Sequence, residues 1–373
     1  MPLLTNDLER HIRARRLAVV EEAIRRVLQR GHFILGPEVQ AFEAEFAAYC
    51  GASHAVGVAN GTDALELCLR ALGIAPRDRV ALVANAGGYS TAAAFALGAR
   101  PVYVDVDRSS LNLDPADLER VLAAGEVRAI IVTHLYGLLA DMPRVMALAL
   151  RFGVPVVEDC AQAHGARREG RCAGSWGRLA AFSFYPTKNL GAVGDAGAVV
   201  TSDPGLAEAV RELRQYGWSG KYRATRAGGR NSRLDEIQAA VLRVKLTRLA
   251  AANDERRALA ARYDQGLSAG GATGLGLPRE LPGRRHVYHL YVVRHPRRDA
   301  LLAHLTAAGI GALIHYPIPV HLQPAYASLG AASLPESERA AREVLSLPLY
   351  PGLSRDAQQR VIEAVNAFAP VHA

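Results

Sequence analysis

Two kinds of apolar pattern follow one another along the chain. Between residues 6 and 30 the apolar positions Leu8, Ile12, Val20, Ile24, Val27 and Leu28 fall near helical spacing, and Gly31 stands where such a helix stops. Pro37 opens a second helical pattern, with Val39, Phe42, Phe46 and Tyr49 on one face. From residue 54 short β-rich runs take over: HAVGV (54–58), RVALVA (79–84), PVYVDVD (101–107), RAIIVT (128–133), VPVVED (154–159), AAFSF (180–184) and AGAVVT (196–201). Several lack polar alternation, as strands covered on both faces do. Most of the intervening segments are long enough for crossover helices. The pattern predicts an α/β fold with a mainly parallel sheet.

One long helical pattern then runs from about Leu234 to Leu267. A Gly/Pro-rich stretch (GGATGLGLPRELPG) follows. After it come a strand (VYHLYVV, 287–293), a helix near 297–308, a further strand ending in IHYP, and two closing helices. This predicts a large α/β domain over residues 1–250 and a small α+β domain over 251–373.

Composition narrows the class. The 373 residues are 50% hydrophobic, ample for a sizeable core. No apolar run reaches the roughly 20 residues a bilayer span needs, and the charged N-terminus holds no signal-peptide core. The expectation is a cytoplasmic protein without a membrane partner. The formal charge is +8, carried almost wholly by arginine, since Lys188, Lys221 and Lys245 are the only lysines. The arginines form no long tract, which argues for a solvated surface and against a nucleic-acid partner. A local surplus still suits an anionic small molecule such as a nucleotide diphosphate. The four cysteines show no CxxC or metal-ligand spacing and read as free buried thiols; no metal is expected.

Candidate chemistry lies at strand ends. Asn60-Gly61-Thr62-Asp63 follows HAVGV and opens a helix, where free N–H groups and the helix dipole suit a phosphate; taken alone, the segment is better read as an ordinary cap, with Thr62 or Asp63 satisfying the helix start. Asp159 ends VPVVED at the edge where open α/β sheets bind ligands, with Gln162 and His164 close behind. Lys188, in FSFYPTKNLG, lies just past AAFSF; its amine forms an imine with an aldehyde cofactor once its pKa falls. Tyr89 follows another strand and is placed to stack on a planar ring. Lys221, in YGWSGKYR, sits in a loop within reach of a phosphate, whereas Lys245 reads as a solvated helix residue. Cradle, aromatic, aspartate and lysine occur in that order along one sheet, the order of an aspartate-aminotransferase-like pyridoxal-phosphate site.

The stretches VANGTDAL, EDCAQAHGA, FSFYPTKNLGAVGDAG and NSRLDEIQAAVLRVKL resemble the DegT/DnrJ/EryC1/StrS family of sugar aminotransferases, and the likeness runs from FILGPEVQAFEAEFAAYCG to LSLPLYPGLS. The resemblance implies a fold-type I enzyme that uses pyridoxal 5'-phosphate, and pyridoxamine 5'-phosphate during turnover. It implies that Lys188 carries the cofactor and Asp159 pairs with its ring nitrogen. Gln162 contacts the ring hydroxyl oxygen, Tyr89 stacks on the ring, and Gly61, Thr62 and Ser183 hold the phosphate. Asn231 reaches the phosphate of a neighbouring subunit, which makes a homodimer with shared active sites. Family dehydratases replace the lysine with histidine, so Lys188 favours transamination. Leu138 stands where the family has glutamine, and Ala196 where many members have glycine.

QYGWSGKY, HLYVVR and IHYPIPVHLQPAY resemble members that aminate C-3 of nucleotide-linked keto-deoxysugars. That likeness makes Tyr185, Lys221, His315, Tyr316 and His321 substrate-side candidates; loop packing is the competing reading for His315 and His321. The amino donor implied is L-glutamate. A C-4 keto-sugar or cyclitol aminotransferase is the alternative. A non-catalytic regulator on the same fold is disfavoured by the presence of Lys188 and Asp159.

Overall fold

The computed structural model describes residues 3–9, 17–269, 274–329 and 333–368. The first helical pattern is seen as α1 (Leu17–Arg30); Ile12 of that pattern lies outside the described residues. α2 (Pro37–Cys50) starts at its proline and ends where Gly51 adopts φ +72°.

Seven strands form the central sheet: β1 (His54–Val58), β2 (Arg79–Val83), β3 (Arg100–Val104), β4 (Val127–Thr133), β5 (Val156–Asp159), β6 (Leu179–Ser183) and β7 (Gly197–Thr201). Their order is β1-β7-β6-β5-β4-β2-β3. The pairs from β6 to β3 are parallel. β7 runs against both its neighbours, β1 and β6. β1 therefore points the same way as β6. The carboxyl ends of β1, β5 and β6 share one edge of the sheet, and the segments carrying Gly61, Asp159 and Lys188 emerge there.

Helices cover both faces, as the unbroken apolar strands require. One core joins the sheet to α3 (Gly61–Ala71), α4 (Tyr89–Ala96) and α7 (Pro204–Leu213) through Leu65, Leu69, Leu82 and Val210. A second joins it to α2 and α8 (Glu236–Leu246) through Phe42, Phe46, Phe182 and Leu242. A third holds α5 (Pro115–Ala123) and α6 (Met142–Phe152). Each fully buried leucine contributes about 2–3 kcal/mol.

The single helix expected over 234–267 is two: α8 stops at Leu246 and α9 runs Leu249–Ala269. Beyond it β8 (Tyr291–Arg294) pairs antiparallel with β9 (Val344–Leu347). With α10 (Arg298–Ala307) and α12 (Arg355–Asn366) they enclose a fourth core around Tyr263, Tyr291, Leu301 and Leu345. The strand expected before IHYP is only an isolated bridge, Leu313 to Ser346. β9 follows directly on α11 (Pro335–Glu343), inside what reads as a closing helix.

Candidate active site

A cleft of about 400 Å³ opens where these strand ends meet residues 289–290 and 315–316. Gly61, Thr62, Tyr89, Asp159, Gln162, Ser183, Tyr185, Lys188, His315 and Tyr316 all line it, so the structure brings together ten of the residues singled out in the sequence.

The anion cradle is built at the start of α3. Asn60 Oδ1 accepts from the Asp63 N–H at 2.8 Å, and the Asn60 carbonyl accepts from the Ala64 N–H at 3.0 Å. The N–H groups of Gly61 and Thr62 have no partner within the helix. A Cβ on Gly61 would lie 2.5 Å from Ser183 Cβ and 3.1 Å from its Cα, so glycine lets the helix start close against β6. Asn60 is thus an ordinary helix cap, and the Gly61 and Thr62 N–H groups that follow it have no partner within the helix, with Ser183 packed beside them.

Asp159 ends β5 almost fully buried. Its carboxylate accepts from Thr133 Oγ1 at 3.1 Å, from Ser90 Oγ at 3.4 Å and from the Ala161 N–H at 3.2 Å. Its chain neighbour Glu158 points to the opposite side of the strand, as alternation requires. Glu158 accepts from His134 Nε2 at 2.9 Å and from the N–H groups of Gly174, Trp176 and Gly177 at 2.7–3.0 Å. Despite complete burial, the His134 bond and these N–H donors hold its pKa below the usual range. His134, Glu158 and Cys160 lie close enough to resemble a metal cluster. The carboxylate is already engaged by four donors, and His134 Nδ1 accepts from the Ala140 N–H at 3.2 Å, so the group anchors β5.

Gln162 has a defined orientation. Its Oε1 accepts from the Tyr136 N–H at 2.7 Å and its Nε2 donates to Tyr316 Oη at 3.2 Å. The second Nε2 proton remains for an acceptor in the cleft. Tyr136 takes φ +59° to make this turn and donates its hydroxyl to the His315 carbonyl. Gly87 is needed nearby, because a Cβ there would meet Tyr89 at 2.5 Å and Tyr316 at 3.0 Å.

Lys188 sits in a tight turn whose N–H donates to the Tyr185 carbonyl at 2.8 Å. Desolvation lowers its pKa from 10.5 to about 8, against the opposing pull of Asp159. Burial, and then the Lys188 charge, lower His164 to about 3 and His315 to about 4. His289 is pushed down by the same two causes. Neutral imidazoles therefore surround the one amine.

Three sequence candidates lie elsewhere. His321 is buried against the ring of Tyr103, with Nε2 3.3 Å from Glu338 Oε1; it packs the core beside β3, and the loop-packing reading holds. Lys221 sits on an exposed turn, its ammonium 5.2 Å from the Tyr222 ring centroid. Asn231 is exposed beside Gln215. The expectation of a solvated Lys245 is corrected: it is 4% exposed and donates to the Gly191 carbonyl at 2.6 Å. His289 and Asp195 line the cleft and were not among the sequence candidates. The only sequence signal for His289 is a polar residue inside the apolar run VYHLYVV.

A mixed, mainly parallel sheet, with a helix N-terminus, a strand-end aspartate and a desolvated lysine gathered at one cleft, is the architecture of a fold-type I enzyme. The chain belongs to the DegT/DnrJ/EryC1/StrS aminotransferase family, whose model matches residues 18–366. It is 51% identical, over 94% of its length and 92% of the relative's, to dTDP-3-amino-3,4,6-trideoxy-alpha-D-glucose transaminase of Streptomyces venezuelae. It is 45% identical, over 92% of both chains, to a protein of Geobacillus stearothermophilus named pleiotropic regulatory protein. Among solved structures it is similar to Streptomyces venezuelae DesV in complex with a ketimine intermediate, with TM-score 0.94, 50% identity and 98% of each chain covered. The enzyme is an aminotransferase and its cofactor is pyridoxal 5'-phosphate.

Proposed function

We propose that this enzyme transfers the amino group of an amino acid, L-glutamate, to C-3 of a nucleotide-linked keto-deoxysugar. The observation that carries the reading is the cleft itself. Lys188, Asp159 and the Gly61–Thr62 helix start line it together with Tyr185, His315 and Tyr316. The 3-amino sugar in the name of the Streptomyces venezuelae transaminase supports the choice of carbon.

The residues present fit the cofactor. Gly61, Thr62 and Ser183 would hold its phosphate, Asp159 would pair with its ring nitrogen, Gln162 would meet its ring hydroxyl oxygen, and Tyr89 would lie against the ring. Bound, the cofactor supplies an electron sink and a carrier for the amino group. Asp159 stays fixed as an acceptor by Thr133 and Ser90. Lys188, with a pKa near 8, takes and returns the proton at the substrate carbon that bears the nitrogen. His315 Nδ1 lies 2.8 Å from Ser346 Oγ, which holds the ring at the cleft wall to meet the sugar.

The shared site is part of this reading. Asn231 of one protomer reaches the cofactor phosphate of its partner, and Lys221 reaches the substrate's phosphates. Their exposure supports this, as do the exposed Phe33, Ile34 and Tyr216, which a second protomer would cover. The large N-terminal domain, residues 1–250, would carry the cofactor, and the small C-terminal domain, residues 251–373, would close over the substrate.

Steady-state kcat/KM with 3-keto and 4-keto nucleotide deoxysugars tests the assignment. The 3-keto sugar is expected to lead by about a hundredfold or more. Equal rates, or a lead for the 4-keto sugar, would remove the regiochemistry. The regulatory name of the Geobacillus relative carries no comparable support in this cleft, because both Lys188 and Asp159 are in place.

A further inference from the structure

Ser346 is the one polar residue of β9, flanked by Leu345 and Leu347, and it is fully buried. Side chains alternate along a strand, so Ser346 faces the same side as Val344, which packs into the third core with Tyr136, Ile314 and Tyr316. Its backbone exchanges two hydrogen bonds with Leu313: the Ser346 N–H donates to the Leu313 carbonyl at 2.8 Å, and the Leu313 N–H donates to the Ser346 carbonyl at 3.2 Å. Two residues further on, Tyr136 Oη donates to the His315 carbonyl. The backbone on the way to the cleft is therefore held at two points. The ring of His315 is held at a third, where Nδ1 lies 2.8 Å from Ser346 Oγ.

The two protons involved decide the direction of that bond. His315, with its pKa lowered to about 4, is a neutral imidazole at pH 7 and carries one proton. Among the described residues Ser346 Oγ has His315 Nδ1 as its one partner. If Nδ1 held the imidazole proton, the hydroxyl would only accept, and its own buried proton would have no acceptor. If the hydroxyl donates to Nδ1, the imidazole proton sits on Nε2. Nε2 has no partner among the described residues, and the side chain that carries it lines the cleft. Both protons are then accommodated.

We propose that Ser346 is a positioning residue for substrate recognition: its hydroxyl donates to His315 Nδ1 and so fixes the tautomer that offers the His315 Nε2 proton to an uncharged oxygen of the keto sugar. The inference rests on the reading of this cleft as a sugar-aminotransferase site. It accounts for a buried hydroxyl in the otherwise apolar strand VLSL. A neutral N–H suits a hydroxyl or ketone oxygen, whereas an imidazolium would draw the phosphates or carboxylates that the same cleft must admit.

The first test needs neither cofactor nor sugar, so its outcome stands apart from the functional assignment. Imidazole ¹⁵N shifts of the cofactor-free protein at pH 7 are assigned to His315 by their loss in His315→Gln. Protonation at Nε2 is expected, and protonation at Nδ1 overturns the proposal.

The second test is a KM-against-kcat split with the nucleotide-linked 3-keto sugar. Ser346→Ala frees the ring, so the sugar KM is expected to rise by about tenfold while kcat changes by less than about threefold. The serine acts through the histidine, so adding Ser346→Ala to His315→Gln should raise the sugar KM by less than about twofold. A serine that only supports the fold would have the same effect in both backgrounds. Equal effects, or an unchanged sugar KM in Ser346→Ala, overturn the proposal. If the wild type accepts only a 4-keto sugar, the regiochemistry falls and the same comparison is made with that sugar.

Discussion

The Lys245 ammonium donates to the Gly191 carbonyl at 2.6 Å, and this bond joins α8 to the loop that carries Lys188 three residues earlier. The ammonium is buried, so the carbonyl it meets is held by a charge-assisted bond. Lys245→Met keeps the stem and removes the donor. It should lower unfolding stability by roughly 1–3 kcal/mol, read in urea. It should also slow transamination while borohydride reduction still fixes the cofactor to Lys188. Unchanged stability and rate would show that the loop holds its place without Lys245.

Lys188→Ala removes the amine itself. Turnover should fall by at least about a thousandfold, and borohydride reduction should no longer attach the cofactor to the chain. The fold should persist, because the shortened side chain ends in the cleft. Covalent capture at Lys221 or Lys245 would contradict the assignment.

Gly61→Ala tests the cradle. The added methyl would come within 2.5 Å of Ser183 Cβ, and β6 is held on both sides by β5 and β7. The start of α3 must therefore shift away from Ser183. Affinity for pyridoxal 5'-phosphate should drop by about tenfold or more, which corresponds to about 1.4 kcal/mol. Affinity for unphosphorylated pyridoxal should change less. An equal loss for both ligands would place the phosphate elsewhere.

Acid should unfold the protein in two stages. His164 is held neutral, its folded pKa pushed from 6.5 down to about 3. The unfolded chain takes up that proton first, so the stability this histidine contributes is complete above 6.5 and falls as pH drops below it. Glu158 also has a lowered folded pKa, so its contribution is present above its ordinary 4.5 and is lost as pH falls further. Urea midpoints should decline from pH 7 to 5 and more steeply below 4.5. His164→Phe, set between Phe182 and Phe184, should lessen the first decline, to which the likewise depressed His289 and His315 also contribute. The same slope with and without His164 would assign the first stage to another group.

The sheet was legible where strands are apolar without a break. VVED and LAAFS are covered on both faces, and their C-terminal Asp159 and the lysine past Ser183 reach the same edge. The direction of β7 was not, because AGAVVT reads alike in either orientation. The α8–α9 break at Thr247–Arg248 leaves the amphipathic pattern unbroken, so no spacing marks it. β9 is four residues long and abuts α11, while the segment before IHYP meets Ser346 only at Leu313 and runs into Pro317 and Pro319, which lack donors. Lys245 was misread, and His321 was left between two readings, for a common reason. Their burial depends on what packs over them, Gly191 for one and Tyr103 with Glu338 for the other, and periodicity along one helix or loop does not carry that information. His289 was hidden because VYHLYVV looks like one strand, whereas β8 begins only at Tyr291 and leaves His289 at the cleft.

The central claim is that this cleft passes an amino group to the C-3 ketone of a nucleotide sugar. The most direct measurement is a single half-reaction. The enzyme is converted to its pyridoxamine form with glutamate, freed of donor, and mixed with 3-keto or 4-keto nucleotide deoxysugar while the pyridoxal absorbance is followed. The account predicts recovery of that absorbance with the 3-keto sugar and little with the 4-keto sugar. Recovery with the 4-keto sugar alone, or failure of glutamate to form the pyridoxamine state, would contradict it.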